Sequence, residues 1–588
     1  MICLKTKMDN VSLTIKVGGE AGFGIMASGL LLIRTFSRGG LKAISINDYP
    51  SLIRGGHNVI LVRVASHEIF ATDDVVDILV ALNRETIDIH KSEVTDNAGI
   101  IYDNESFDVK ENDFSRKVSL FAVPLMKLTK ELGGDVLMRN TVALGATVAL
   151  VDYDFSYLKR VIEDQFKSKG QEIIDTNIKL AQAGYDYIQS YHPHGYYKKL
   201  KPKMKSQKQV VLTGNEAIGL GSIAAGMKFI AAYPMTPING LLFYMADKAE
   251  KVGYVYKQPE DEIAGINMAI GASFAGVRSM VATSGGGFCL MTEGVSLAGM
   301  IEQPVVIIYG QRPGPATGLP TWTTQGDLHF VLNASQGEFP RLVLAPGDIE
   351  EAYYLTQVAF NLADKYQTPV VVLVDKYICE SYFSIDFDHF QKKIPIERGK
   401  IMTEAEQSAQ EEVKRYLLTE DGISPRPIPG RKNGIFHSNS DEHDEFGYST
   451  EEARVTKSMI EKRMKKLIAA QKEDRDVILY GDPDAKHTLV GWGSTKGVVL
   501  EAMRQLDLAG QKGLVNYIQI SWINPFPVDS LKALLSKAKH IVDIEGNHNS
   551  PMADWILLKT GITIKDKINK YDGRPFFPSE IIEEILSY

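Results

Sequence analysis

Three short motifs in the middle of the chain carry side chains that could act on a bound ligand. Glu262 and the two acidic residues before it open an apolar segment of small residues. A carboxyl group held there in an apolar cleft could hydrogen-bond a nitrogen atom of a cofactor. Thr236 lies between two prolines, and its hydroxyl could donate to a carbonyl or carboxylate oxygen. Arg312 precedes a loop rich in Pro and Gly, and its fork of donors suits a carboxylate.

Each of these motifs also has a purely structural explanation. Carboxylates in the first turn of a helix interact favourably with the helix dipole, whether or not a ligand binds. Thr236 could cap a helix that begins after a rigid turn. Arg312 could donate to the carbonyl groups of its own loop. Taken singly, the motifs leave both explanations open.

A glycine-rich turn near the N-terminus is a candidate loop for binding an anion. Residues 18–24 (GGEAGFG) lie between a strand-like and a helix-like run, where glycines let the backbone approach a phosphate. The strict dinucleotide-binding pattern is absent, because Glu20 and the residue after it interrupt the pattern. Arg54 and His57 flank paired glycines and could also contact an anion. A glycine turn with solvated polar residues explains this second stretch equally well.

The elements that must position these motifs alternate between strand-like and helix-like runs, which predicts an α/β protein with several domains. A mainly parallel sheet is expected in the first domain. Thr236 and Arg312 follow strands predicted at 228–233 and 305–309, so they should lie near the carboxyl edge of a sheet, where open α/β sheets bind ligands. The predicted segments are an α/β domain over 1–195, a charged linker over 196–208, an α/β domain over 209–395, a polar excursion over 396–485 and a C-terminal α/β domain over 486–588.

Composition excludes several classes of function. With 588 residues, 44% of them hydrophobic, and a net charge of -8, the chain resembles an ordinary globular protein and has no basic surface for nucleic acid. Its apolar runs are too short to span a membrane, and its first residues do not resemble a signal peptide, so a cytoplasmic location is predicted. The three cysteines are isolated, whereas an iron–sulfur cluster needs about four thiolates. A conventional cluster would have to lie on another polypeptide.

These motifs, in this order, resemble the 2-oxoacid:ferredoxin oxidoreductases over essentially the full chain. The N-terminal segment resembles the family's gamma subunit at residues 18–24, 49–58, 76–83 and 139–145. The rest resembles the alpha subunit at residues 233–237, 260–276, 283–293, 314–321, 425–430, 441–447 and 545–548. The resemblance implies a parallel-sheet domain of the gamma type, a thiamine pyrimidine-binding domain and a C-terminal α/β domain like that of transketolases.

The resemblance also implies roles for particular residues. Tyr233, Pro234 and Thr236 match a motif at the thiamine and substrate pocket. Arg312 matches an arginine that grips the carboxylate of the 2-oxoacid, and Glu262 matches the glutamate that faces the aminopyrimidine ring. For the N-terminal domain, the hypothesis is that it helps to receive coenzyme A, with Arg54 on the phosphates.

A partner subunit is implied as well. In this family the beta subunit holds the diphosphate of thiamine diphosphate, the Mg²⁺ ion and a four-iron (4Fe–4S) cluster. This chain has neither a Gly-Asp-Gly motif followed by Asn nor a cysteine cluster, in agreement with that division. We therefore predict an alpha subunit with a fused gamma domain, in a heterodimer or a dimer of heterodimers. With coenzyme A, the complex would convert a 2-oxoacid, such as 2-oxoglutarate or pyruvate, to acyl-CoA, CO2 and reduced ferredoxin, or run in reverse.

Two alternatives remain from the residues alone. A subunit of a thiamine-dependent transferase or non-oxidative decarboxylase would normally carry the magnesium-diphosphate motif itself, or pair with a chain that lacks clusters. A nucleotide-binding regulatory subunit would use residues 18–24 and would not depend on Glu262.

Overall fold

The computed structural model describes residues 11–52, 55–193, 196–197, 200–202, 208–391, 394–473 and 477–588. The strands are β1 (Ser12–Glu20), β2 (Lys42–Asp48), β3 (His57–Ala65), β4 (Val76–Ala81), β5 (Val94–Asp103), β6 (Val118–Val123), β7 (Gln209–Thr213), β8 (Phe229–Ala231), β9 (Val255–Lys257), β10 (Ser279–Thr283), β11 (Val305–Gln311), β12 (Leu342–Leu344), β13 (Pro369–Asp375), β14 (Tyr382–Asp386), β15 (Ile478–Tyr480), β16 (His487–Trp492), β17 (Val515–Ile520), β18 (Trp522–Asn524), β19 (Ile541–Glu545) and β20 (Asp566–Asn569). The helices are α1 (Ile25–Arg38), α2 (Arg84–His90), α3 (Leu125–Glu131), α4 (Arg139–Leu150), α5 (Phe155–Phe166), α6 (Gln171–Tyr191), α7 (Gly214–Ala224), α8 (Asn239–Val252), α9 (Glu262–Phe274), α10 (Gly285–Met300), α11 (Leu328–Asn333), α12 (Ile349–Tyr366), α13 (Lys376–Glu380), α14 (Glu404–Ser408), α15 (Ala453–Ala470), α16 (Thr495–Leu508), α17 (Val528–Leu535), α18 (Pro551–Thr560) and α19 (Pro578–Ser587).

The first sheet has eight strands in the order β6-β5-β4-β1-β3-β2-β14-β7. Strands β1, β4, β5 and β6 are parallel. The remaining neighbours, β1 with β3, β3 with β2, β2 with β14 and β14 with β7, are antiparallel. The sheet is therefore mixed. The part β6-β5-β4-β1 is parallel, as expected for the first domain, whereas the part β1-β3-β2-β14-β7 is antiparallel.

The second sheet has seven strands in the order β18-β12-β13-β11-β10-β8-β9. All neighbours from β12 to β9 are parallel, and only the edge strand β18 is antiparallel. Strands β11 and β13 are buried along their whole length, as expected for parallel strands with helices on both faces. Because these strands run in the same direction, their carboxyl ends form one edge, and this edge carries the candidate site.

The third sheet has five strands in the order β15-β17-β16-β19-β20. One hydrophobic core joins it to the second sheet, since Val343 and Leu373 lie in the same cluster as Val490 and Ile518. Among the helices of the described residues, none combines the length and the hydropathy required to cross a membrane.

The polar stretch over 396–485 packs against the helices of the second sheet through buried ion pairs. Lys462 Nζ donates to Glu302 Oε1 at 2.6 Å, and Lys466 pairs with the other carboxylate oxygen at 2.5 Å. Burial raises the pKa of Glu302, but the two lysines outweigh it and hold this pKa well below its ordinary value. Arg426 Nη1, also buried, donates to Asp364 Oδ1 at 3.3 Å.

Some strands pair with strands of a different segment from the one in which the sequence placed them. Strands β7 and β14 belong to the segment predicted as the second domain, yet both lie in the first sheet, where β14 pairs with β2 and β7 pairs with β14. The strand β18, from the C-terminal segment, pairs with β12 of the second sheet. The domain boundaries stay a prediction. Most of the predicted linker over 196–208 lies outside the described residues.

Candidate active site

Three of the predicted site residues lie at the carboxyl edge of the second sheet. Strands β9, β8, β10 and β11 are consecutive neighbours and all parallel. Glu262 follows β9, Thr236 follows β8 and Arg312 follows β11. The chain after β10 adds Ser284 between them. The sheet thus brings to one edge residues that are far apart in the sequence.

Glu262 is the first residue of α9, and its side chain is buried at 3% exposure. Asp261 caps this helix, because its Oδ1 atom accepts from the Ala264 backbone N–H at 2.8 Å. The Oε1 atom of Glu262 is buried and has no hydrogen-bond partner among the described residues. Burial raises the pKa of Glu262, and the negative charge of Asp261 raises it further. The carboxyl group therefore has a raised tendency to hold a proton and one oxygen free for a ligand.

Gly287, in the first turn of α10, makes room for this carboxyl group. A Cβ atom at position 287 would lie 2.1 Å from Thr283 Oγ1 and 2.4 Å from Glu262 Oε1. Neither distance is possible without a shift, so only glycine leaves the Glu262 side chain where it is. The glycine at position 287 thus acts on a side chain, because its missing Cβ atom leaves the space that the Glu262 carboxyl group occupies.

Arg312 and Thr236 are in direct contact. Arg312 Nη1 donates to the backbone carbonyl of Thr236 at 2.9 Å. Asn239 Nδ2 donates to the Thr236 hydroxyl at 3.4 Å. The other N–H groups of Arg312 have no partner within the part of the chain that the structure describes. Burial lowers the pKa of Arg312. Arg312 therefore holds the Thr236 loop rather than its own, and it keeps donors free for an anion.

Further buried polar atoms lie without partners in these loops. They are Ser284 Oγ, Thr321 Oγ1 and Asn239 Oδ1, each without a hydrogen bond to any described residue. Buried polar groups are nearly always hydrogen-bonded, so unpaired hydroxyl and amide groups in the loops at this edge indicate a place for a polar ligand. Sequence reasoning missed these residues as site residues. Their position directly after a strand or in the Pro/Gly-rich loop was the signal available.

The other predicted site residues are placed differently. Tyr233 is 38% exposed and Pro234 is also exposed, so both lie on the surface beside Thr236. Arg54 lies outside the described residues. The glycine-rich turn belongs to the first sheet, where Asn140 Nδ2 donates to the carbonyl of Phe23 at 3.2 Å. Phosphate binding by this turn stays a prediction.

Comparison with known proteins gives a consistent result. Residues 220–463 match the family "Pyruvate flavodoxin/ferredoxin oxidoreductase, thiamine diP-bdg", and residues 14–187 match "Pyruvate ferredoxin/flavodoxin oxidoreductase". The 2-oxoacid:ferredoxin oxidoreductase subunit alpha of Saccharolobus solfataricus is 34% identical over 97% of this chain and 96% of its own. The 2-oxoglutarate synthase subunit KorA of Methanocaldococcus jannaschii is 35% identical over 57% of this chain and 88% of its own.

A solved structure is similar over almost the whole length. The 2-oxoglutarate:ferredoxin oxidoreductase of Magnetococcus marinus superposes with a TM-score of 0.89 and 32% identity, covering 98% of this chain and 99% of that chain. The chain is thus an α/β protein of the thiamine-linked oxidoreductase class. It belongs to the family of 2-oxoacid:ferredoxin oxidoreductase alpha subunits.

These findings confirm the family and the α/β fold class that the sequence predicted. They also confirm that the chain is an oxidoreductase subunit. The two alternatives, a non-oxidative thiamine enzyme and a nucleotide-binding regulatory subunit, are not favoured, because both the matched families and the full-length relatives are oxidoreductases.

Proposed function

We propose that this chain is the alpha subunit, with a fused gamma domain, of a complex that oxidises a 2-oxoacid with coenzyme A and ferredoxin, or runs the reverse carboxylation. The observation that carries the proposal is the buried carboxyl oxygen Oε1 of Glu262, which has no hydrogen-bond partner among the described residues, at the carboxyl edge of the second sheet. Thr236 and Arg312 lie at the same edge, which supports a single pocket for cofactor and substrate.

The residues fit the aminopyrimidine end of thiamine diphosphate. Glu262 has a free, buried oxygen and a raised pKa, and Gly287 leaves the space that its side chain needs. A neutral carboxyl group can donate a hydrogen bond to a ring nitrogen and take the proton back, which is the proton transfer that this cofactor requires. When bound, thiamine diphosphate supplies a carbon nucleophile and accepts the electron pair released as CO2 leaves. Glu262 is the residue that we assign to the ring nitrogen.

Arg312 and Thr236 are assigned to the 2-oxoacid. The unpaired N–H groups of Arg312 can donate to a carboxylate with two parallel bonds, while Nη1 keeps its bond to the Thr236 carbonyl. The Thr236 hydroxyl can then donate to an oxygen of the same substrate. The Magnetococcus marinus relative was solved with 2-oxoglutarate, coenzyme A and succinyl-CoA bound, so 2-oxoglutarate heads the substrates to be tested. Tyr233 and Pro234 would form the rim of this pocket.

A beta subunit is proposed to cover this edge. Beside Glu262, the outer faces of α9 and α10 expose apolar side chains, namely Ile263 at 47% and Leu290 at 50%. Together with the segment 438–442 they line a groove of about 1050 Å³, which is large enough for an element of another chain. The diphosphate, Mg²⁺ and the 4Fe–4S cluster would lie on that subunit, in a heterodimer or a dimer of heterodimers. Coenzyme A on the N-terminal domain, with Arg54 on its phosphates, and a cytoplasmic location remain predictions.

The test is an anaerobic assay of the complex with its beta subunit. Coenzyme A-dependent reduction of ferredoxin or viologen would be followed with 2-oxoglutarate, pyruvate and 2-oxoisovalerate. Because a positioned acid–base group contributes about 10²–10⁴-fold, we expect Glu262→Gln to lower kcat by at least about 100-fold. Arg312→Ala should raise KM for the 2-oxoacid.

Glu260→Gln is the matched control, because Glu260 is an exposed carboxylate in the same turn. It should keep the wild-type rate. A wild-type complex with an intact cluster and no activity on any of the three substrates would refute the proposed function.

A further inference from the structure

Asn215 contacts the turn that carries Thr236 and Pro237. It lies in the first turn of α7, directly after the last strand of the first sheet, and is 1% exposed. Its Nδ2 atom donates to the backbone carbonyl of Pro237 at 2.9 Å. This is the one hydrogen bond that the Asn215 side chain makes to the described residues, since its Oδ1 atom is buried without a partner. Among the described residues, the Asn215 amide group is therefore hydrogen-bonded to this turn alone.

Two glycines give this contact the space that it needs. A Cβ atom at Gly240 would lie 2.8 Å from Asn215 Nδ2. On the other side of the turn, a Cβ atom at Gly310 would lie 2.9 Å from Pro237 Cγ. A larger residue at position 240 would displace the Asn215 amide, and a larger residue at position 310 would displace the turn. The hydrogen bond between Asn215 and Pro237 therefore depends on glycine at both positions.

Adjacent carbonyl groups of the turn are thus held from two sides. Arg312 donates to the carbonyl of Thr236 from β11, and Asn215 donates to the carbonyl of Pro237 from α7. A turn that is hydrogen-bonded at two consecutive peptide groups has a defined orientation. The direction in which the Thr236 hydroxyl points follows from that orientation. Loss of the Asn215 donor would leave the Pro237 carbonyl unpaired and free to rotate away.

We propose that Asn215 is a positioning residue for Thr236, which rests on the function proposed above. Asn215 does not touch the substrate. It sets the direction of the Thr236 hydroxyl through the Pro237 carbonyl, and it does so from a helix that follows a strand of the first sheet. The edge of the first sheet, where β7 pairs with β14, is thereby connected to the 2-oxoacid pocket.

The experiment compares Asn215→Ala and Asn215→Asp in the complex with the beta subunit. Aspartate keeps the shape of asparagine but, when ionised, lacks the donor. Both variants are expected to lower kcat/KM for the 2-oxoacid about tenfold, with a raised KM, while KM for coenzyme A and for viologen stays unchanged. Asn177→Ala is the control, because Asn177 is also buried and donates to the Ile173 carbonyl at 2.8 Å within α6, a helix of the N-terminal segment that carries none of the predicted site residues.

A purely structural role would give a different pattern. The Asn215 variants would then lose thermal stability like Asn177→Ala and keep the wild-type kcat/KM, and this result would overturn the proposal. If Asn215→Ala fails to assemble with its partner, Gly240→Ala provides the same test, since its Cβ atom would push the amide away. An inactive wild-type complex would refute the proposed function, whereas an active wild type with unaffected variants would refute only the role of Asn215.

Discussion

Replacement of Gly287 by alanine tests whether the position of Glu262 matters for the reaction. The new Cβ atom would lie 2.4 Å from Glu262 Oε1 and 2.1 Å from Thr283 Oγ1, whereas side-chain contacts require more than about 3 Å. The Glu262 carboxyl group or the start of α10 must therefore move by roughly 1 Å. Overpacking of this kind costs about 1–3 kcal/mol of stability. A misplacement of about 1 Å at a reacting group can lower the rate about 100-fold, or about 2.7 kcal/mol.

The assay is the anaerobic, coenzyme A-dependent reduction of viologen by the complex with its beta subunit. Gly271→Ala is the matched control, because Gly271 lies in the same helix as Glu262 and its Cβ atom would meet nothing within 4 Å. Alanine there should stabilise α9 by about 0.5–1 kcal/mol through helix propensity and leave kcat unchanged. We expect the loss of kcat in Gly287→Ala alone.

The reasoning would be refuted if Gly287→Ala kept kcat within about threefold of the wild type while thiamine diphosphate bound normally. Such a result would mean that the carboxyl group of Glu262 tolerates displacement, and it would remove the geometric basis for its assignment to the cofactor. An equal loss in Gly271→Ala would instead point to a general defect of the helices.

Three further predictions concern stability, pH and the substrate. Glu302→Gln leaves two buried lysine charges without their carboxylate and should destabilise the fold by about 3–5 kcal/mol in thermal or denaturant unfolding, whereas Asp421→Asn, in an exposed ion pair, should cost less than about 1 kcal/mol; equal effects would contradict this. The folded pKa of Glu262 is above its ordinary value of 4.5, so the stability that its protonation contributes is fully present below pH 4.5 and is lost as pH rises through the folded pKa. The free energy of unfolding of Glu262→Gln minus that of the wild type should therefore increase from pH 4 to pH 8. A difference that decreases as the pH rises would contradict the raised pKa. Arg312→Lys keeps the charge but loses the fork, so KM for the 2-oxoacid should rise about tenfold, and an unchanged KM would exclude a carboxylate at this side chain.

The local pattern of the sequence predicted much of the fold. Strands expected at 228–233 and 305–309 match β8 and β11 within a few residues. The helix expected after the acidic triplet is α9, which begins at Glu262. Strand and helix periodicity is a property of neighbouring residues, so it can be recognised without the rest of the chain.

Part of the candidate site was also recognisable. Thr236 and Arg312 stand out because each follows a predicted strand, and Glu262 because it opens a helix of small residues. The structure places all three at one edge of the second sheet. Their catalytic roles remain predictions, as do Tyr233 and Pro234 as binding residues. Ser284 was not selected, since a serine beside glycines has an ordinary explanation as part of a turn.

The sequence by itself determined the α/β class, the family, the positions of some strands and helices, and the residue types available at the site. Tertiary structure alone decided that the first sheet is mixed, that β7 and β14 join it, and that Arg312 and Asn215 hold adjacent carbonyl groups of the Thr236 turn. The physical reason is that these features depend on pairs of residues that are distant in the chain. A strand does not specify its neighbour, and a donor does not specify its acceptor, until packing brings the two together.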